Sequence, residues 1–429
     1  MPDIRSSPEE QIVEFINRVY RRGLTTTSGG NLSIRGPDGA LWITPGSIDK
    51  GELKPSDVVH VARDGSVTGP HKPSLELPFH QAIYAARPDA QAVIHAHAPA
   101  LVTFSIGRKV PDTRIIPNAR GVCGSIGYAK YALPGSEELA ANIAETLSRG
   151  HDITIMENHS VVCVAASLRE AYMRLETLDL CGRIILDASK LGEVHTLTEE
   201  QLALARRPEV EHFGDQPQAR PQGERDARAE MIRFLRRGCR QGLFSSAGGT
   251  ISRRLDDRSF LITPYGIDRA LLGEEDLVLM RDGRAEADKF PSRAVVLHER
   301  VYRNNPQLGS LILAQPPFVM AFAVSHSRLD TLLMPETYVF LRDVDLVPYG
   351  PQYLDPDAVA RRISPQTPVL LIENECILTA GAGLLEAYDR LEVAEFSARS
   401  FIDVRLLGGV QRISPAEKQA LEDAFIKKR

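Results

Sequence analysis

The sequence predicts two tandem copies of one α/β domain, each with a mixed, mainly antiparallel central β-sheet flanked by α-helices. Three observations carry this. The first is an internal repeat: "FINRVYRRGLTTTSGGNLSIR" is answered by "FLRRGCRQGLFSSAGGTISRR", "WITPGSIDKGELKPSDVVHVARDGSV" by "LITPYGIDRALLGEEDLVLMRDGRA", and "IMENHSVVCVAASLREAYMRLE" by "LIENECILTAGAGLLEAYDRLE". The second is that strands and helices interleave without regular βαβ spacing, which favours a mixed sheet over a doubly wound parallel one. The third is the polar, proline-rich stretch "RRPEVEHFGDQPQARPQGERDARAE" between the copies, which reads as a linker. Domains are therefore expected at 1–206 and 226–429, joined by 207–225.

Within the first copy, the helical apolar pattern predicts a helix over about 8–22, followed by a glycine turn. Strands are expected at "LSIR", "LWIT" and "VVHVA", each set off by turn residues. A helix over about 75–87 precedes the apolar run "AVIHAHA", read as a buried strand. Residues near 110–134 read as irregular. Then come a helix near 136–148, a strand pair at "ITIME" and "SVVCV", and a long helix over 167–191.

Composition narrows the class. Of 429 residues, 43% are hydrophobic and 25% charged, the balance of a soluble globular protein, and the length calls for more than one domain. A formal net charge of −5 argues against nucleic acid or an anionic membrane as the main partner. No basic-then-apolar leader opens the chain, and no window approaches 18 uninterrupted apolar residues. The five cysteines are scattered and never in C-x-x-C spacing, so reduced, mostly buried thiols and a cytoplasmic location are expected.

"VIHAHAPA" sets His95 and His97 two apart in a strand-like run, a spacing that turns both imidazoles to one face. Such a pair can grip one ion, and catalytic zinc takes three protein ligands and leaves one position open. "MENHS" offers His159 as the third. In "KPSLELPFHQAIY", Ser74 is placed to cap a helix with Glu76 in its first turn, and His80 shares the Glu76 face. The second copy acts as an internal control. It retains Ser292, His298, Tyr302 and Pro306 opposite Ser74, His80, Tyr84 and Pro88, yet has Ala294, Leu313, Gln315 and Glu375 opposite Glu76, His95, His97 and His159. Four polar positions change together while His80 persists. That is the pattern left by loss of one shared site, with His80 as scaffold.

The segments "SGGNLSIR", "WITPGSI", "PSLELPFHQAIY", "VIHAHA", "YALPGSEEL" and "ENHSVVC", in this order, resemble the class II aldolase/adducin family over residues 8–205 and, in degenerate form, about 226–423. The resemblance implies one divalent metal per chain, most commonly Zn2+, on His95, His97 and His159. It implies Glu76 as the acid/base; an aspartate usually stands there in the family's 4-epimerases, which favours the aldolase side. Substrate or phosphate binding falls to Gly30, Asn31, Thr44, Gly46 and Ser74, although Leu75 replaces a second serine. The activity implied is metal-dependent carbon–carbon lysis (retro-aldol) of a small sugar, sugar phosphate or sugar acid through a metal-stabilised enediolate. A decarboxylase or dehydratase using the same site, or a non-catalytic adducin-like binding module, are the alternatives. Family rings of four subunits imply a homodimer with four domains, in which Tyr338 and Arg342 of the degenerate copy are possible donors to a neighbouring site.

Overall fold

The computed structural model describes residues 6–214 and 220–426, so positions 215–219 of the expected linker lie outside the described residues. The chain divides into two compact units. One comprises residues up to Thr113 with Ala119–Arg183, the other Arg114–Asn118 with Ile184 onward.

In the first unit, α1 (Pro8–Arg21) begins at a capping box: Ser7 Oγ accepts the Glu10 amide and the Glu10 carboxylate accepts the Ser7 amide. Ile12, Phe15, Ile16 and Val19, at helical spacing, form its buried face. There follow β1 (Asn31–Arg35), β2 (Leu41–Ile43), β3 (Val59–Val61), β4 (Val67–Thr68), α2 (Leu77–Ala86), β5 (Ala92–Ala96), α3 (Pro99–Ile106), α4 (Pro117–Cys123), β6 (Ile126–Ala129), α5 (Glu137–Ser148), β7 (Ile153–Met156), β8 (Val161–Ala165) and α6 (Leu168–Leu191); the first two residues of α4 and the end of α6 from Ile184 count with the other unit. The strand order is β4-β3-β2-β1-β5-β8-β7-β6, antiparallel throughout except for the β6–β7 pair.

The sheet is covered on both faces, which is why β5 and β8 read as continuous apolar runs rather than alternating ones. Along β5, Ala92, Ile94 and Ala96 join Ile16 of α1 and Leu175 of α6 in one core. Val93 turns the other way, into a core with Ile83 of α2 and Ile143 of α5. His95 shares the Val93 face by strand alternation and packs edge-on to Phe79 of α2, 5.7 Å between ring centroids.

Four elements depart from the sequence reading. The segment expected to be irregular contains a 3₁₀ turn (Thr113–Ile115), α4 and the edge strand β6. β6 has only four residues, one of them glycine, too short for a period-2 signal. Helix α3 went unanticipated because its "PALVTFSI" is apolar nearly all round and merges with the apolar run of β5.

The second unit repeats the plan. Strand Thr250–Arg254 pairs with Ser310–Ala314 in the register Thr250↔Leu313, matching Asn31↔His95 in the first unit, and Asp345–Val347 lies parallel to Val369–Ile372 as the edge pair. An additional strand, His212–Phe213, pairs parallel with Arg284–Glu286, so part of the stretch read as linker belongs to this sheet. All five cysteines are buried, and no disulfide joins them among the described residues. Among the described residues, no helix is long and apolar enough to cross a membrane.

Each unit contains the same buried tie between its first strand and the helix after the glycine-turn strands. Ser33 Oγ lies 2.7 Å from His80 Nδ1 and 2.9 Å from Tyr84 Oη, and Ser252 Oγ lies 2.7 Å from His298 Nδ1 and 2.8 Å from Tyr302 Oη. Burial pushes the His298 imidazole down to about 3. Between pH 6.5 and 3 the unfolded chain therefore holds a proton at His298 that the folded unit refuses, so stability is present in full above pH 6.5 and falls on acidification. The loss approaches ~1.4 kcal/mol per pH unit from this group. Calorimetric melting between pH 7.5 and 4.5 should show the decline, and His298→Gln should make it shallower by this one group's share, the other buried imidazoles keeping theirs. An unchanged slope in that variant would contradict the assignment.

Candidate metal centre and acid–base site

Strand β5 ends at Ala96, and His97 sits one residue beyond it, before Ala98 caps α3. Both side chains nevertheless reach one cluster. Their rings meet at 86° with centroids 4.7 Å apart, and the ring of His159 lies 4.9 Å from His95 and 5.4 Å from His97. One nitrogen from each of the three lies within 4.8 Å of the others, the one group of this kind among the described residues.

The turn between β7 and β8 presents His159. Asn158 adopts φ 51°, and the His159 amide donates to Met156 O (3.1 Å) and to Ser105 Oγ of α3 (2.8 Å), whose own hydroxyl donates to Met156 O (2.8 Å). Ser105 thus pins the turn that delivers the third histidine. The sequence reading missed it, yet the repeat contained the signal: the second copy has Ala323 there.

Tautomer and charge suit metal ligation. His95 Nδ1–H donates to Val161 O (2.9 Å), which leaves Nε2 as a lone pair, fully buried and without a hydrogen-bond partner. Burial holds His95, His97 and His159 down to about 4 each, so all three imidazoles are neutral near pH 7. Facing them is Glu76, whose Oε2 lies 3.3 Å from His95 Nε2 and whose Oε1 lies 3.5 Å from His159 Nε2. A lone pair opposite a carboxylate oxygen is repulsive unless a cation or proton lies close to both. The orphaned Nε2 and the neighbouring carboxylate therefore fit a divalent metal.

Glu76 itself occupies the N-cap position of α2, which starts at Leu77, instead of the first turn. Ser74 Oγ accepts the Glu76 amide (3.3 Å) rather than an amide inside the helix, so the carboxylate is not consumed by capping. Asn31 Nδ2 donates to Glu76 Oε2 (2.7 Å), directly across the β1–β5 ladder from His95.

The remaining predicted residues line β1, β2 and the adjoining turns. Gly30 has φ 71°, and a Cβ there would lie 2.9 Å from His95 O and 2.8 Å from Thr25 Oγ1, so the position demands glycine. Thr44 Oγ1 accepts the Leu32 amide (3.2 Å) and Ser74 Oγ accepts that of Glu76, which leaves both hydroxyl protons to donate. The Gly46 amide is engaged by Lys72 O (3.1 Å) and the Asn31 side chain by Glu76 and His80, so neither is idle. His71, upstream, is paired with Asp57 at 3.2 Å. In the second unit, Tyr338 is buried and gives its hydroxyl proton to Glu422 (2.6 Å), and Arg342 follows its helix with φ 60°.

The corresponding place in the second unit is chemically closed. Glu375, opposite His159 in the repeat, is paired with Arg293 (2.7 Å) and accepts from Tyr353 Oη (2.8 Å), while Gln315 Nε2 donates to Glu375 O (3.1 Å). Tyr265 stands opposite Gly46. Elemental analysis after dialysis should therefore find one divalent ion per chain, and His95→Ala with His97→Ala should abolish it. One ion retained in that double variant would place a site in the second half.

A family model described as "Class II Aldolase and Adducin N-terminal domain" matches residues 10–186 and again 229–402. Among curated relatives, the 5-methylthioribulose-1-phosphate/5-deoxyribulose-1-phosphate aldolase of Rhodospirillum rubrum is 33% identical over 40% of this chain and 76% of its own length. The 3-oxo-tetronate 4-phosphate decarboxylase of Escherichia coli is 31% identical over 42% and 87%, and the L-fuculose phosphate aldolase of Methanocaldococcus jannaschii 32% over 42% and 95%. A solved L-fuculose 1-phosphate aldolase is 30% identical, with a TM-score of 0.43 over 48% of this chain and 97% of that one. The chain belongs to the class II aldolase and adducin family and carries its domain twice, with the histidine cluster in the first copy alone.

Proposed function

We propose that the first unit is a metal-dependent carbon–carbon lyase that cleaves a small phosphorylated ketose by a retro-aldol reaction, with Zn2+ on His95, His97 and His159. The observation that carries this reading is the Glu76 carboxylate standing 3.3 Å and 3.5 Å from two of three neutral, convergent imidazoles. When bound, the ion supplies polarisation of the substrate carbonyl. The electron pair of the broken C–C bond stays on the carbon next to that carbonyl, and Glu76 delivers the proton this carbon takes up. The proton comes in turn from the hydroxyl that becomes the aldehyde. Asn31 holds Oε2 of Glu76, and the free hydroxyl protons of Thr44 and Ser74 are suited to a phosphate oxygen.

A second reading, decarboxylation of a 3-oxo acid phosphate, leaves its electron pair on the same kind of carbon and needs the same proton. The 31% identity to a 3-oxo-tetronate 4-phosphate decarboxylase supports it. We further propose that two chains assemble into a four-domain dimer in which Tyr338 and Arg342 approach the partner's site. For Tyr338 this requires its bond to Glu422 to open.

Hydrogen exchange of dihydroxyacetone phosphate in D2O, followed by proton NMR, tests the lyase reading without knowledge of the aldehyde. The parent should exchange one carbon-bound proton. Glu76→Gln should retain its metal and lose about two orders of magnitude or more in rate. Full exchange in that variant would remove Glu76 from the chemistry, and carbon dioxide release from 3-oxo acid phosphates without any exchange would favour the decarboxylase.

A further inference from the structure

His80 persists in both copies, which by sequence alone marks it as scaffold, but its surroundings differ between the units in one informative respect. In the first unit its Nε2 lies 2.5 Å from Asn31 Oδ1, and Asn31 Nδ2 lies 2.7 Å from Glu76 Oε2. In the second unit Thr250 stands opposite Asn31 and Ala294 opposite Glu76. There the Thr250 hydroxyl turns to Ser292 Oγ (2.6 Å), and His298 Nε2 is buried with no hydrogen-bond partner among the described residues. The Ser–His–Tyr tie is common to both units; only the forward link to a carboxylate is particular to the first.

The direction of that link is fixed by charge. An ionised Glu76 accepts only, so Asn31 must present its NH2 to it and its Oδ1 to His80. His80 must then carry its proton on Nε2, because the other tautomer would set a lone pair against Oδ1 at 2.5 Å. Nδ1 accepts from Ser33 Oγ, so the links from Ser33 through His80 and Asn31 all donate toward the carboxylate, while Tyr84 Oη, 2.9 Å from Ser33 Oγ, donates to the Ser33 carbonyl (3.1 Å). His80 is fully buried and stacked on Phe79 at 4.6 Å, so its ring cannot turn away.

We infer that His80 is a positioning residue for the proton-transfer carboxylate: acting through Asn31, it fixes the amide that holds Glu76 Oε2 beside the histidine cluster. The inference rests on the reading of Glu76 given above. Two amide replacements separate this role from a structural one. His80→Gln places an N–H where Nε2 was and keeps the bond to Asn31. His80→Asn keeps a partner for Ser33 at the Nδ1 position and loses the bond to Asn31.

In the full-length, metal-loaded protein, His80→Asn should lower the rate of dihydroxyacetone phosphate exchange by about tenfold or more with KM and metal content unchanged, and His80→Gln should restore most of it. Crystal structures of both variants give a readout independent of turnover: the Asn31–Glu76 bond should persist in His80→Gln and open in His80→Asn. His298→Asn, measured alongside, reports the structural share and should leave the rate untouched. Equal rates in the two His80 variants, or an unmoved Glu76 in both crystal structures, would overturn the inference. Full exchange in Glu76→Gln would instead defeat the reading beneath it.

Discussion

A buried imidazole lone pair facing a carboxylate oxygen at 3.3 Å is the constraint around which the first unit is organised. Neither His95 Nε2 nor Glu76 Oε2 can satisfy the other, and both are withdrawn from bulk water. Such an arrangement persists only because the surrounding structure over-determines it: Val161 fixes the His95 tautomer, Asn31 fixes one carboxylate oxygen, and the β1–β5 register sets Asn31 directly opposite His95. A cation held close to both groups would relieve the repulsion between them.

The second unit shows what the same backbone does when that constraint is lifted. Its Ser252–His298–Tyr302 tie and its Thr250↔Leu313 register are intact, so the scaffold stands without the histidine cluster. Its polar groups instead neutralise one another, with Arg293 and Tyr353 satisfying Glu375. Two copies of one fold in one chain thus separate the residues that both units share from those particular to the histidine–carboxylate cluster.

Much of this was legible in the sequence, because the repeat supplied its own comparison. The concerted change at Glu76, His95, His97 and His159 identified residues that the fold brings into one cluster. Strand order was not legible, since pairing between β1 and β5 depends on contacts remote in the chain. α3 was hidden by its uniform apolar character, and with it Ser105, whose hydroxyl pins the His159 turn. The role of Ser74 was misjudged locally: a serine two residues before Glu76 reads as a helix cap, whereas the helix begins one residue after Glu76. His80 read as scaffold because its persistence concealed a change of partner, from Asn31 in one unit to none among the described residues in the other.

The central claim is that one divalent ion is held by three imidazoles in the first unit and that the second unit is closed to metal. Anomalous diffraction at the zinc edge, from crystals of the full-length protein grown with zinc, tests it most directly. The account requires a single strong peak per chain bonded to His95, His97 and His159, with no peak beside Gln315 or Glu375. A peak bonded to Glu375, or none at the three histidines, would contradict it.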